Sequence, residues 1–389
     1  MRGFRLLRMR GIDLRVHWSL AIIVVLVMSS IAVGQVPTDY PRWGQLAAWS
    51  TGFGVAFGLI ASIALHEFSH ALVALRVGVP VPQVTLFAFG GIAQLGDRPR
   101  RATHEFAITI AGLLMSLVLG VVLLLASSGA TIGQTASAGS VVALVARTLG
   151  EINVVLAVFN CLPGAPLDGG RLLHSVVWRI TGSEARATEI ASRSGQLLGT
   201  ALATVGLLML FGFTVPFFGS GAGGVWLMLI GWFIAGVARA ERVDAGISSI
   251  AGAVPIGRIT RPLTGARADT PLDEFADEVL LPRGAHALPV IDDGRYVGIA
   301  SLRDALKVAE PLRAGVTVSS VMTPWEQVHT LDAGASIGDA VRAFAAHEVH
   351  QLPVVDDDGR VVGFVHRDDM LGWLQLHATP DRVLEHARS

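Results

Sequence analysis

The sequence predicts a polytopic α-helical membrane domain of about six transmembrane helices, followed by a soluble α/β module built on an internal repeat. Three observations carry this. The 389-residue chain is 52% hydrophobic and only 16% charged, with a mean hydropathy of +0.56, the balance of a chain much of which faces lipid. Its long apolar runs are gathered before Ala240. The net charge of −1 conceals two halves of opposite sign: 16 Arg against 9 acids up to Ala240, hence +7, and 14 basic against 22 acidic residues from Glu241 onward, hence −8. That balance excludes a nucleic-acid binder read from overall charge. The single Cys, Cys161, excludes an intrachain disulfide framework or a Cys-rich zinc site. It reads as a small apolar residue in a buried segment.

The six apolar spans run from His17 to Gly34, Leu46 to Leu65, Phe106 to Ala126, Val141 to Leu162, Leu197 to Phe213 and Gly221 to Val237. Each is near the ~17–25 residues a bilayer helix needs. Arg2, Arg5, Arg8, Arg10 and Arg15 precede the first span like the basic start of a signal peptide, but no small-residue cleavage site follows, so the span reads as a retained helix. Arg-rich and Arg-poor connections alternate along the chain, which places both termini in the cytoplasm; six spans demand the same parity. Trp18, Trp43, Trp49, Trp178 and Trp226 fall near span ends, as interfacial anchors do.

Residues 241–253 read as a linker to the soluble part. There His286-Ala-Leu-Pro-Val-Ile-Asp-Asp-Gly-Arg-Tyr-Val-Gly298 is echoed by His350-Gln-Leu-Pro-Val-Val-Asp-Asp-Asp-Gly-Arg-Val-Val-Gly363. Asp-Gly between two β-rich runs signals a hairpin, and each copy ends in a helix-like stretch, Leu302 to Val308 and Asp368 to Leu374. Two such units suggest a two-lobed module packed on itself. Asp356, Asp357 and Asp358 read as a solvated turn.

The chemistry lies at the end of the second span, Ala64-Leu65-His66-Glu67-Phe68-Ser69-His70. Four residues apart on a helix, His66 and His70 share one face, the spacing that lets two imidazoles bind one Zn2+ with Glu67 beside it as general base. With 12 His and 12 Glu in the chain, chance supplies roughly 0.01 such matches. Ionisable groups closing an apolar span are expensive and functional by default. Catalytic zinc takes a third protein ligand. His17 and His104 sit at span starts and His174 lies beyond the fourth span, which leaves a carboxylate. The best candidate is Asp168, in Asn160-Cys161-Leu162-Pro163-Gly164-Ala165-Pro166-Leu167-Asp168-Gly169-Gly170-Arg171. Pro163 and Pro166 should hold this stretch extended rather than helical. Such backbone survives at membrane depth only inside protein or beside a wet cavity. Read alone, Asp168 would also serve as a helix N-cap.

These two motifs together resemble the site-2 protease family of intramembrane zinc metalloproteases, over roughly Ile12 to Ala240. The resemblance implies a protease domain over residues 1–240. In it His66, His70 and Asp168 hold one Zn2+ per chain, Glu67 is the catalytic base, and Asn160 is a polar residue near the active site. Phe87-Ala-Phe-Gly-Gly-Ile-Ala93 resembles the family's membrane-associated β-loop, which implies that Phe89, Gly90 and Gly91 bind substrate as an added strand; an ordinary Gly turn is the other reading. Val16-His17-Trp18 is similar to the family's N-terminal pattern. The implied function is cleavage of the transmembrane segment of a single-span, membrane-anchored regulatory protein in the bacterial inner membrane.

The repeat resembles a tandem pair of CBS domains, residues 254–309 and 318–377, with 378–389 as a tail. Val321-Met-Thr-Pro324 and Leu-Pro-Val-Val-Asp in the second copy are typical. That resemblance implies a homodimer through these domains and an adenine nucleotide (ATP, ADP or AMP) at Ser301, Asp304 and Asp369. Gly298-Ile-Ala-Ser301-Leu-Arg-Asp304 keeps the family's nucleotide motif; in the second copy His366 replaces the hydroxyl. The rival built from the same parts is a CBS-gated transporter or channel, which gives His-Glu-Phe-Ser-His no task. A non-catalytic metal-dependent scaffold is the third.

Overall fold

The computed structural model describes residues 3–377 apart from 10, 88–89, 95, 97–98, 131, 134, 215–221, 263–264, 281–286 and 348. The chain divides into two compact units, Met1–Arg242 and Val243–Ser389.

The first unit opens with a hairpin that the Arg-rich start did not lead us to expect. β1 (Phe4–Met9) pairs antiparallel with β2 (Ile12–Val16), turning at Gly11 with φ +85. Alternation in Ile12-Asp-Leu-Arg-Val16 buries Ile12 and Leu14 on one face. The first span is α1 (Leu20–Ser29), a π-helical stretch Ser30–Gln35 and α2 (Val36–Asp39) in series. α3 (Gln45–Arg76) has 32 residues, about 48 Å of helix, well beyond the ~30 Å hydrocarbon core. After it β3 (Gln83–Phe87) runs parallel to β2, and β4 (Gly90–Gln94) antiparallel to β3, giving the sheet order β1-β2-β3-β4. Ile12, Leu14, Val84 and Leu86 of this sheet pack with Ala71 and Ala74 of α3 and with Ile108. The sheet thereby anchors the last turns of α3, just past the two histidines.

Four longer helices and one short one follow: α4 (Ala102–Ser128), α5 (Ala138–Asn160), α6 (Asp168–Thr181), α7 (Glu184–Leu210) and α8 (Ala222–Ala253), whose residues beyond Arg242 belong to the second unit. Small residues let their backbones approach, as they do between helices in lipid. A Cβ at Gly120 of α4 would lie 3.1 Å from the Gly150 carbonyl oxygen of α5, and one at Gly231 of α8 would stand 2.9 Å from Ala203 Cα of α7. Outward faces stay apolar, with Leu114, Val118, Val121 and Leu125 of α4 exposed, as a lipid-facing surface requires.

Among the described residues, five helical segments are long and apolar enough to cross a membrane: Leu20–Asp39, Gln45–Arg76, Ala102–Ser128, Ala138–Asn160 and Gly223–Ala253. The expected span Leu197 to Phe213 is not among them. It forms the C-terminal half of α7, whose other half carries Glu184, Arg186, Glu189 and Arg193 and dilutes the apolar run. Residues 241–253, expected as a linker, are helical as the end of α8.

The second unit is the expected two-lobed α/β module. In the first lobe β5 (Ala266–Arg267), α9 (Leu272–Glu274), β6 (Ala287–Asp292), β7 (Arg295–Ser301), α10 (Leu302–Leu306) and β8 (Thr323–Pro324) build a sheet of order β5-β6-β7-β8. In the second, β9 (Leu331–Asp332), α11 (Ile337–Ala346), β10 (Gln351–Val355), β11 (Val361–His366) and α12 (Arg367–His377) build one of order β11-β10-β9. The repeat is visible in register: Ala266 lies beside Val290 in the first lobe as Leu331 lies beside Val354 in the second, both parallel. Asp293 and Gly294 both have positive φ, +44 and +74, the geometry of the expected tight hairpin. The triple-Asp segment is the expected turn, in which Asp356 Oδ1 accepts from the Asp358 and Arg360 amides at 3.1 and 2.7 Å. Ala251, Ile256 and Ile259, which precede β5 in sequence, sit in the core of the second lobe with Ile337, Phe344 and Leu352.

Candidate metal centre

The histidine motif is not at a frayed helix end. Arg76 closes α3 six positions beyond His70, and His66 and His70 are 8% and 9% exposed. Their rings meet edge to face with centroids 4.7 Å apart, as one helical turn dictates.

Asp168 reaches them from a different part of the chain. Leu162–Leu167 is non-helical, as expected, but it coils into turns rather than running extended: Gly164 N donates to Leu162 O at 2.8 Å and Leu167 N to Gly164 O at 3.0 Å. Pro keeps the segment out of a helix, and close packing on α7 folds it up. Ala165 N donates to Ala191 O at 3.2 Å, Ser194 Oγ donates to Pro163 O, and a Cβ at Gly164 would lie 2.8 Å from Gly195 Cα. Asp168 is then the first residue of α6 rather than its cap. The cap position belongs to Leu167, with no side-chain cap bond, and the Asp168 carboxylate turns to the histidines. Its Oδ2 lies 3.0 Å from His66 Nε2 and 3.4 Å from His70 Nε2, and the two Nε2 atoms are 3.1 Å apart. Cys161, expected in a buried segment, is exposed, because the helix ends one residue before it.

The orienting contacts come from α4, which supplies no ligand. His70 Nδ1 donates to the Ile108 carbonyl oxygen at 2.8 Å, and His66 Nδ1 lies 2.8 Å from Ser116 Oγ. With Nδ1 protonated, each Nε2 presents a lone pair. Such partners fix the tautomer of metal-binding histidines. Between them, Gly112 lets α4 lie against the rings: a Cβ there would overlap His70 Nε2 and stand 2.9 Å from His66 Nε2. Sequence reasoning missed Ser116, Gly112 and the Ile108 carbonyl. The signal was two small residues four apart on an apolar helix, which looks like ordinary packing.

These residues fit zinc. Three lone-pair donors, the Nε2 atoms of His66 and His70 and a carboxylate oxygen of Asp168, lie within 4.8 Å of one another and are largely buried. Mutually repelling acceptors that converge without a donor call for a cation. Tetrahedral bonds of ~2.0–2.1 Å put ligand atoms about 3.3 Å apart, matching the observed separations. Glu67 is half-buried on the same turn. Gly91 of β4 lies against it: a Cβ there would overlap Glu67 Cγ and stand 3.0 Å from Oε1. Gly90 opens β4 opposite Phe87, at φ +130. Phe89 lies outside the described residues. Asn160 is half-buried at the end of α5, where the turn segment begins.

The three nucleotide candidates lie in the second unit. Ser301 and Asp304 form a capping box on α10, with Ser301 Oγ donating to Asp304 Oδ2 at 2.6 Å and Lys307 Nζ donating to Oδ1 at 2.8 Å. Burial alone would raise the Asp304 pKa; the bonds from Lys307 and Ser301 outweigh it and hold the carboxyl below its usual range. Asp369 accepts from Arg261 Nη2 at 2.6 Å.

Comparison with known proteins finds the same two parts in the sequence. Peptidase family M50 matches residues 54–141 and 125–202, and CBS domain matches residues 255–310 and 318–376. The chain is 32% identical over 378 residues to Rip3 of Mycobacterium tuberculosis, named as a zinc metalloprotease, covering 95% of this chain and 92% of that one. Zinc metalloprotease MJ0392 of Methanocaldococcus jannaschii is 26% identical over 298 residues, 76% of this chain and 77% of that one. The solved site-2 protease from Methanocaldococcus jannaschii aligns with 62% of this chain and 95% of that one, at 24% identity and a TM-score of 0.44.

Proposed function

This chain belongs to peptidase family M50, the site-2 proteases, joined to a tandem CBS pair, and on that premise we propose that it cleaves a single-span membrane protein within its transmembrane segment. The observation that carries the reading is the convergence of His66, His70 and Asp168 with Glu67 on the same helical turn. The three would hold one Zn2+, which when bound supplies a Lewis acid that activates water and polarises the scissile carbonyl. The Glu67 carboxylate takes a proton from the attacking water and passes it to the leaving amine nitrogen. Ser116 and Ile108 keep the imidazoles oriented throughout.

A helical substrate hides its carbonyls in its own hydrogen bonds, so it must unwind before it is cut; Gly or Pro near the cut eases this. β4 sits at the edge of its sheet, and Gly90 and Gly91 carry no side chain to hold an incoming strand away. An unwound segment adding to that edge lies beside Glu67. Phe89, which precedes Gly90 in sequence, and the Asn160 amide are the further substrate-binding candidates. Both termini face the cytoplasm, following the Arg distribution, and the CBS pair joins two chains. That pair binds an adenine nucleotide through Ser301, Asp304 and Asp369, which tunes proteolysis.

In the test, Glu67→Gln loses cleavage of a co-expressed membrane reporter while still retaining zinc, and it traps substrate for identification. Full activity in that variant overturns the assignment. Calorimetry of the full-length protein with ATP and with AMP tests the nucleotide; no heat from either removes that part.

A further inference from the structure

One ionisable side chain close to the centre has no part in this chemistry. His174 lies on α6, six positions beyond Asp168, with its side chain 14% exposed. Its Nδ1 is 2.7 Å from Glu105 Oε2 on α4, and its Nε2 is 3.1 Å from Thr188 Oγ1 on α7.

The contacts match a doubly protonated ring. The Glu105 carboxylate only accepts, so Nδ1 donates. Thr188 Oγ1 lies 3.0 Å from the Glu184 carbonyl oxygen, and with its one hydroxyl proton given there its oxygen is left to accept from Nε2. A ring that donates from both nitrogens is an imidazolium. Carboxylates on three helices favour the cation, Glu105 on α4, Glu184 on α7 and Glu241 on α8; on α6 itself Arg171 stands one turn earlier as the opposing charge, and the Trp178 ring is 6.0 Å away. Burial works against the charge, but the bond to Glu105 and these carboxylates outweigh it and raise the pKa above the usual histidine value.

The three helices joined here are the three that place the third ligand. α6 begins at Asp168. α4 orients both imidazoles, and Glu105 precedes Ile108 by about one turn. α7 packs against the turn segment that delivers Asp168.

We propose that His174 is a positioning residue that works only in its doubly protonated form: the imidazolium pins α6 to α4 and α7 and so holds the Asp168 carboxylate on the His66–His70 pair. This rests on the zinc reading above. A neutral imidazole donates from one nitrogen alone, so deprotonation releases one of the two clamps. The brace is complete at low pH and is lost as pH rises through the raised pKa.

The test measures Zn2+ affinity of the full-length protein by chelator competition, from about pH 6 to about pH 9, in wild type and in His174→Gln. The ratio of the two cancels protonation of the zinc ligands themselves. Wild type should bind roughly tenfold more tightly at the acid end, with the ratio falling towards one as pH rises. A ratio that is flat across pH overturns the proposal. If wild type binds no zinc, or the variant does not fold, the imidazole nitrogen shifts of His174 in 15N-histidine-labelled wild type decide. Two protonated nitrogens at neutral pH support the brace and a neutral tautomer overturns it, whereas absent zinc binding by itself sinks the metalloprotease reading.

Discussion

Substituting Gly112 tests the centre most directly, because it adds a single carbon at a known place. In Gly112→Ala the new Cβ overlaps His70 Nε2 and stands 2.9 Å from His66 Nε2, where an unstrained contact needs about 3.4 Å or more. Two relaxations are open. The imidazoles can swing aside, which takes them off Asp168. Or α4 can back away, which stretches the 2.8 Å contacts from His70 to the Ile108 carbonyl and from His66 to Ser116. Either way the ligand lone pairs lose their aim. Outer partners of this kind are each worth about 10–100-fold in metal affinity, so disturbing both should weaken zinc by about 100-fold or more, about 2.7 kcal/mol. Overpacking costs the fold about 1–3 kcal/mol, which a chain of this size tolerates. The assay is chelator competition for Zn2+, with thermal unfolding as the check on folding. An alanine variant that keeps one zinc per chain with affinity within about twofold of wild type would refute the reasoning.

Other perturbations probe separate parts. Ser116→Ala removes the partner of His66 Nδ1 and should weaken zinc about tenfold, read by the same competition. Gly91→Val should abolish reporter cleavage while leaving zinc affinity unchanged, since its side chain enters the space of Glu67 without touching a ligand. In the second lobe, Ser336 and Asp339 form a capping box on α11. Ser336→Ala should cost about 1 kcal/mol, read as faster amide exchange in α11. The same cap has a pH signature: the Ser336 hydroxyl and amide hold the Asp339 carboxyl below its usual pKa. A lowered folded-state pKa means the contribution is present above the usual carboxylate value of about 4 and fades as pH falls through the folded value. Protection of α11 should therefore drop in acid, and the drop should be smaller in the variant, which keeps the amide and Arg342 contacts but loses the hydroxyl.

Much of this was legible in the sequence, and what was not has definite causes. His66, Glu67 and His70 could be read because helical periodicity alone brings them together. Asp168 could be read because Pro163 and Pro166 break a helix where a break is costly. Gly112 and Ser116 could not, since their role depends on which face of α4 meets α3, a tertiary fact. His174 was passed over for the same reason, as Glu105 is 69 positions away. The β1–β2 hairpin was within reach in the alternation of Ile12–Val16, but Arg residues there were weighed only for topology. The span expected from Leu197 to Phe213 is the C-terminal half of one longer helix, α7 (Glu184–Leu210); counting apolar residues found that half and not the polar half that precedes it.

The contacts from α4 carry a consequence for how the enzyme is made. Ile108, Gly112 and Ser116 occupy successive turns of one helix, and the two polar contacts they make go to Nδ1 of each ring, not to the Nε2 atoms that face the ion. Metallation should therefore be separable from folding, with the helices holding the two imidazoles in place before the ion draws the three acceptors together. Chelators should strip the protein without unfolding it, and Co2+ should reload the stripped form and report the ligand field as visible absorption.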